Sequence, residues 1–98
     1  MAEVRWTPQA ADDLEGIAEF IGKDSNHYTR LFVLDISTAI DRLESFPLCG
    51  RVVPEINDPC IREIPFGNYR IVYRWRDPAV EVLTVYHGAR LLDPERLA

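Results

Sequence analysis

Apolar and polar positions change their period near the middle of this chain. Up to about residue 45 they recur at helical spacing, and from residue 61 they fall into short strand-like runs bounded by turn residues. Val4-Arg5-Trp6 reads as a short first strand. Thr7-Pro8 predicts a helix start, because threonine caps the first free amides and proline's fixed φ suits the first helical position. Ala10, Leu14, Ile17 and Ile21 follow at helical spacing with Ala18 beside them, and Gly22 reads as the stop. Asp12, Asp13 and Glu15 are expected near the positive end of that helix dipole.

A second helix is expected from Ser25 or Asn26, ended by Pro47. Its main apolar stripe is Tyr28, Phe32, Ile36, Ala39 and Leu43. Val33 and Ile40 widen the stripe on one side, Leu31 widens it on the other, and Leu34 falls roughly opposite. So wide an apolar surface has two readings, a broadly buried helix or a docking surface for another chain.

Three strands are expected after it. Ile61–Phe66 and Tyr69–Arg76 flank Gly67-Asn68, a tight-hairpin signal in which glycine supplies a positive φ. Asp77-Pro78-Ala79 reads as the next turn and Val80–His87 as the last strand. The two-residue turn sets a register. Tyr69, Ile71 and Tyr73 fall opposite Phe66, Ile64 and Arg62 on one face, which the helices are expected to cover. Arg70, Val72 and Arg74 take the other face, beside Pro65, Glu63 and Ile61. With Arg74 opposite Glu81, Leu83 and Val85 join Arg70's face and His87 ends it.

Length and composition narrow the class. Ninety-eight residues, 47% of them hydrophobic, make one domain over residues 1–98 with a modest core. No apolar run approaches the ~18–20 residues needed to span a bilayer. The N-terminus lacks the pattern of a signal peptide, so the expected location is cytoplasmic. Cys49 and Cys60 are spaced so that a disulfide is allowed, while two free thiols are the blander reading. A zinc site would need more ligands, because His27 and His87 are far away in sequence, and nothing points to a metal or any other cofactor.

The net charge of −5 is unevenly spread. Residues 1–49 hold nine acids against four bases, and residues 50–98 hold seven of each sign. An acidic chain with a single lysine is a poor fit to direct, non-specific nucleic-acid binding, which phosphate neutralisation drives.

Arg70, Arg74, His87 and Arg90 are the polar constellation. One reading is a salt-bridged sheet surface, with Glu63 and Glu81 near enough to pair with the arginines. The other is an anion site, because a guanidinium fork suits phosphate oxygens and a histidine beside arginines is biased toward the neutral base. RNA cleavage needs a base, a cation on the phosphate and an acid for the leaving oxygen. Arg70 and His87 fill two of those roles. Tyr86 precedes His87, but strand alternation points it to the opposite face unless the strand end twists.

Four blocks of the sequence resemble the RelE/ParE toxin superfamily of bacterial toxin–antitoxin pairs. They are Trp6-Thr7-Pro8-Gln9-Ala10 with Asp13-Leu14 and Ile17, Phe46-Pro47 with Gly50-Arg51, Tyr69 through Arg74, and Val85 through Arg90. The resemblance implies an α+β fold of order β-α-α-β-β-β, with two antiparallel helices packed on an antiparallel sheet. RelE-type members cut messenger RNA in the ribosome with basic residues and a histidine or tyrosine near the C-terminus. Here Arg70 matches the central-strand arginine and His87 the last-strand position, the lysines those enzymes often carry are absent, and no tyrosine follows His87. ParE-type members share the fold, lack the full ribonuclease set and are associated with poisoning DNA gyrase. The Pro47–Arg51 block, the His87-Gly88-Ala89-Arg90 ending and the acidic charge look more like ParE. That resemblance implies a non-enzymatic gyrase inhibitor with a plasmid-stabilising role, contacting its target through Arg70, Arg74, His87 and Arg90. It also implies a ParD-like antitoxin, expected on Leu31, Val33, Leu34 and Ile40. The alternative is a RelE-like endoribonuclease using Arg70 and His87.

Overall fold

The computed structural model of the protein describes residues 1–88. Its elements are β1 (Glu3–Trp6), α1 (Pro8–Gly22), α2 (Asn26–Ser45), β2 (Arg51–Val52), β3 (Ile61–Phe66), β4 (Tyr69–Arg76) and β5 (Ala79–His87). Thr7 caps α1: its Oγ1 accepts the Ala10 N–H at 3.2 Å. The same hydroxyl donates to the Leu83 carbonyl at 3.1 Å, so one residue starts the helix and fastens it to the last strand. Ser25 caps α2, accepting the His27 and Tyr28 amides.

Asp12, Asp13 and Glu15 lie beyond the first turn of α1, where the dipole's pull has fallen off. Asp13 has another task. Its Oδ2 accepts the Thr84 hydroxyl and, at 3.2 Å, the Val85 N–H, which binds α1 to β5.

The sheet has five strands in the order β1-β5-β4-β3-β2. Two features extend the expected pattern. β1 joins the edge by pairing with β5 in parallel, so the sheet is mixed. β2 adds a two-residue edge strand, with Arg51 opposite Glu63 and Val52 opposite Arg62. A strand of two residues carries no period, so hydrophobic patterning alone does not find it.

Gly67 has φ +54°, and the hairpin it closes has the expected register, Phe66 opposite Tyr69 through Arg62 opposite Tyr73. The second hairpin departs from expectation halfway along. Arg74 does face Glu81, and Tyr73 faces Val82, but Val72 faces Thr84. Leu83 is the extra residue of a β-bulge. One extra residue reverses side-chain parity beyond it. Val85 therefore faces Ile71, Tyr86 faces Arg70 and His87 faces Tyr69. Val85 and His87, expected beside Arg70, lie on the helix-covered face instead, and Tyr86 takes their place.

The main core forms where the helices cover the sheet. Phe32, Ala39 and Leu43 of α2 and Ala10 of α1 pack on Ile64, Phe66, Ile71, Tyr73, Val80, Val82 and Val85. Truncating a wholly buried side chain such as Leu43 costs about 2–5 kcal/mol in cores of this kind. The opposite face has its own buried cluster of Val53, Ile61, Val72, Leu83 and Tyr86, with Ile56 against it. The face expected to lie open is thus apolar and buried along its middle, with its charges around that strip. Among the described residues, no helix is long and apolar enough to cross a membrane.

Candidate functional site, a carboxylate-centred arginine cluster

Four neighbouring strands each contribute one side chain to a single cluster: Arg51 from β2, Glu63 from β3, Arg70 from β4 and Tyr86 from β5. The register explains the meeting. Arg51 is directly opposite Glu63, Arg70 is opposite Pro65 and therefore diagonal to Glu63, and the bulge sets Tyr86 opposite Arg70.

Glu63 is only 2% exposed. Its Oε1 accepts Arg51 Nε at 2.7 Å and Arg70 Nη1 at 3.0 Å, and lies 2.5 Å from Arg51 Nη2. Its Oε2 accepts the Tyr86 hydroxyl at 2.9 Å. A buried carboxylate without such partners would be costly, and here three donor nitrogens gather on Oε1 while the Tyr86 hydroxyl meets Oε2. Two guanidinium charges meet one carboxylate, which leaves an excess of one positive charge. The Arg51 side chain is 59% exposed and that of Arg70 is 34% exposed, so the excess faces solvent.

Burial pushes the Tyr86 phenol above its ordinary range, and the bond to Glu63 and its negative charge push it further. Arg70 pulls the other way without cancelling them. Burial alone would lower the pKa of Arg70, but the Glu63 charge and Tyr86 outweigh it and the net direction is up. Tyr86 therefore remains a protonated donor near neutral pH, and Arg70 remains a cation.

Gly50 makes the approach of β2 possible. A Cβ there would stand 2.6 Å from the Glu63 carbonyl oxygen and 2.9 Å from the Tyr73 hydroxyl. The Gly50 N–H instead donates to the Tyr73 hydroxyl at 3.0 Å. Arg62 tethers the adjoining loops, its Nε donating to the Pro59 carbonyl at 2.9 Å and its Nη1 to the Gly50 carbonyl at 3.0 Å.

Of the expected target contacts, Arg70 and Arg74 share a face. Arg74 Nη1 lies 4.0 Å from Glu81 Oε1, a loose pair. His87 is on the other face, with its ring 5.5 Å from that of Tyr69. Arg90 lies outside the described residues. The structure thus brings Arg70 together with Arg51, Glu63 and Tyr86, not with His87. The hairpin register already put Glu63 on Arg70's face, and Gly50-Arg51 marked the loop. Tyr86 was hidden by the bulge.

On the helical layer, Leu31, Val33 and Leu34 are exposed, as are Phe20 and Tyr28, whereas Ile40 is half-buried and packs on the core. An apolar groove of about 470 Å³ runs between α1 and α2, lined by Trp6, Leu14, Ala18, Phe32, Val33 and Ile36 among others. Cys49 and Cys60 are free and exposed.

Comparison with known proteins finds a family and relatives for the chain. The family model described as ParE toxin of type II toxin-antitoxin system, parDE, matches residues 4–92. Toxin RelE2 of Caulobacter vibrioides is 34% identical over 92 residues, covering 93% of this chain and all of that protein. Y4kP of Sinorhizobium fredii, which carries a provisional toxin name, is 37% identical over 88 residues, or 87% of this chain and 86% of its own. In structure, the chain resembles one from the chromosomal ParDE TA system of P. aeruginosa. The TM-score is 0.69 and the identity 20%, covering 89% of this chain and 96% of the other, and the likeness speaks to the fold.

Proposed function

Because the chain belongs to the ParE toxin family of type II toxin–antitoxin systems, we propose that it acts by binding and inhibiting DNA gyrase in the cytoplasm. A ParD-like antitoxin silences it, and a plasmid-stabilising role follows from such a pair. The observation that carries the reading is the parity reversal in β5. It removes His87, the candidate base, from the face on which alternation along β4 sets Arg70 and Arg74. That arrangement suits recognition of an acidic surface better than proton transfer. Arg70 and Arg74 are the proposed contacts on the sheet, followed in sequence by the exposed His87 and by Arg90. Leu31, Val33 and Leu34, with Ile40 behind them, are the proposed antitoxin surface, because apolar side chains exposed along one helix suit a segment that folds as it binds. The test is supercoiling by purified gyrase in the presence of the isolated protein. Inhibition that Arg70→Ala and Arg74→Ala weaken supports the reading, and full supercoiling at large toxin excess ends it.

Two observations favour a ribosome-dependent endoribonuclease as the second reading. One relative is named RelE2, and the bulge brings the Tyr86 hydroxyl into Arg70's cluster. Primer extension on transcripts after induction separates the two. Cleavage within codons that Tyr86→Phe or His87→Ala abolishes would favour the nuclease.

A further inference from the structure

We propose that Arg51 and Arg70, held side by side on one oxygen of the buried Glu63, form a receptor for one carboxylate side chain, Asp or Glu, of a protein partner. The inference deepens the proposed reading of Arg70 as a contact residue, and it does not require gyrase to be the target.

A guanidinium carries five N–H groups and a carboxylate about four acceptor sites. Glu63 already receives Arg51 twice, Arg70 once and Tyr86 once. Three of these contacts crowd its Oε1 and its Oε2 is buried against Tyr86, while both guanidiniums keep N–H groups to spare. Among the described residues, neither arginine pairs with a second acid. The Arg51 side chain is 59% exposed and that of Arg70 34%, so donors of both remain within reach of water or a ligand. Gly88 lies close against Arg70, where a Cβ would stand 3.3 Å from Nε, so a side chain there would press on the guanidinium. Charge then selects the ligand. The cluster carries one positive charge in excess, which one carboxylate neutralises, and planar forks bind carboxylates in two-point fashion. A nucleic-acid backbone is the poorer match, because its row of phosphates would approach a protein of net charge −5. Glu63 is a positioning residue in this scheme. It is too buried to meet the partner and sets the spacing of the two forks.

The test is an NMR titration of the full chain with acetate, following the arginine Nε–Hε signals. Those of Arg51 and Arg70 are expected to move together along one saturable curve. Arg51→Gln is expected to weaken the binding about tenfold, the effect of losing one charge-assisted hydrogen bond. Glu63→Gln separates positioning from charge. If Glu63 only dilutes the positive field, its removal tightens acetate binding and the positioning role falls. If it sets the fork geometry, binding weakens although a negative charge has gone. Should that variant not fold, Arg51→Lys serves instead, keeping the charge and losing the fork; unchanged acetate affinity would overturn the receptor. Immobile signals in the wild-type protein also overturn it. So does a short single-stranded RNA that moves the same signals at lower concentration than acetate, because phosphate would then be the ligand. Acetate binding without any inhibition of gyrase would reject the gyrase reading and leave the receptor standing.

Discussion

Gly50 tolerates no side chain at its position, since the nearest neighbour of a Cβ would be a backbone oxygen at 2.6 Å that cannot swing aside. Gly50→Ala is expected to destabilise the fold by about 1–3 kcal/mol, as over-packing does, and to separate Arg51 from Glu63. Urea denaturation reads the first effect and the Arg51 Nε–Hε signal the second. Two tyrosines give a pH signature. Burial raises the pKa of Tyr73 above 10.0 despite the Gly50 amide on its oxygen, and burial followed by Glu63 raises that of Tyr86. Both phenols hold their protons more tightly in the folded chain than in the unfolded one. Their contribution to stability is therefore whole below pH 10.0 and is lost as the pH rises through the native values. Ultraviolet titration should show two tyrosines ionising late, together with alkaline unfolding. Tyr86→Phe should make the unfolding less steep with pH.

Between elements, the α1–β5 clasp is the most exposed to a single change. Asp13→Ala removes the acceptor of the wholly buried Thr84 hydroxyl and of the Val85 amide. A loss of about 1–3 kcal/mol is expected, the penalty of a buried donor left without a partner. Thermal unfolding of Asp13→Ala beside the double variant Asp13→Ala/Thr84→Val checks it, because the second change removes the orphaned hydroxyl and should recover part of the loss. At this scale the sequence was informative wherever a local signal fixes geometry. Thr7-Pro8 and Ser25 start helices by capping chemistry, and Gly67-Asn68 sets a hairpin register by its length alone. The bulge at Leu83 has no such signal. No glycine or proline marks it, and Val80 through Tyr86 reads as one continuous strand. Since the whole arrangement around Arg70 depends on parity beyond that point, a correct first hairpin still led to the wrong neighbour, His87 in place of Tyr86. The pairing of Glu63 with arginine was legible from register, whereas its burial depends on β2, whose two residues are too few to be read.

Taken whole, the molecule divides its surfaces by chemistry. Residues 1–49 hold nine of the sixteen acids and the exposed apolar side chains Phe20, Tyr28, Leu31, Val33 and Leu34, while six of the ten arginines lie on strands of the sheet. On the proposed reading, antitoxin and target therefore meet different sides. Leu34→Glu should leave the melting temperature within a degree or two of wild type, because the side chain is 62% exposed. It should weaken the antitoxin complex about tenfold or more by calorimetry, since a charge would meet an apolar anchor. Inhibition of the target should be unaffected. An unchanged antitoxin affinity would move the docking surface elsewhere.

Strand β4 lies mid-sheet, hydrogen-bonded on both sides, and its Ile71, Val72 and Tyr73 are shut away by apolar clusters above and below. Its amides should exchange with deuterium last, at rates that report complete unfolding, while the two-residue edge β2 exchanges first. Arg51 then sits on the segment that opens most readily and Arg70 on the one that opens least. A partner gripping both would slow exchange at the edge and leave the centre almost unaltered, a footprint that mass spectrometry can read without knowing who the partner is.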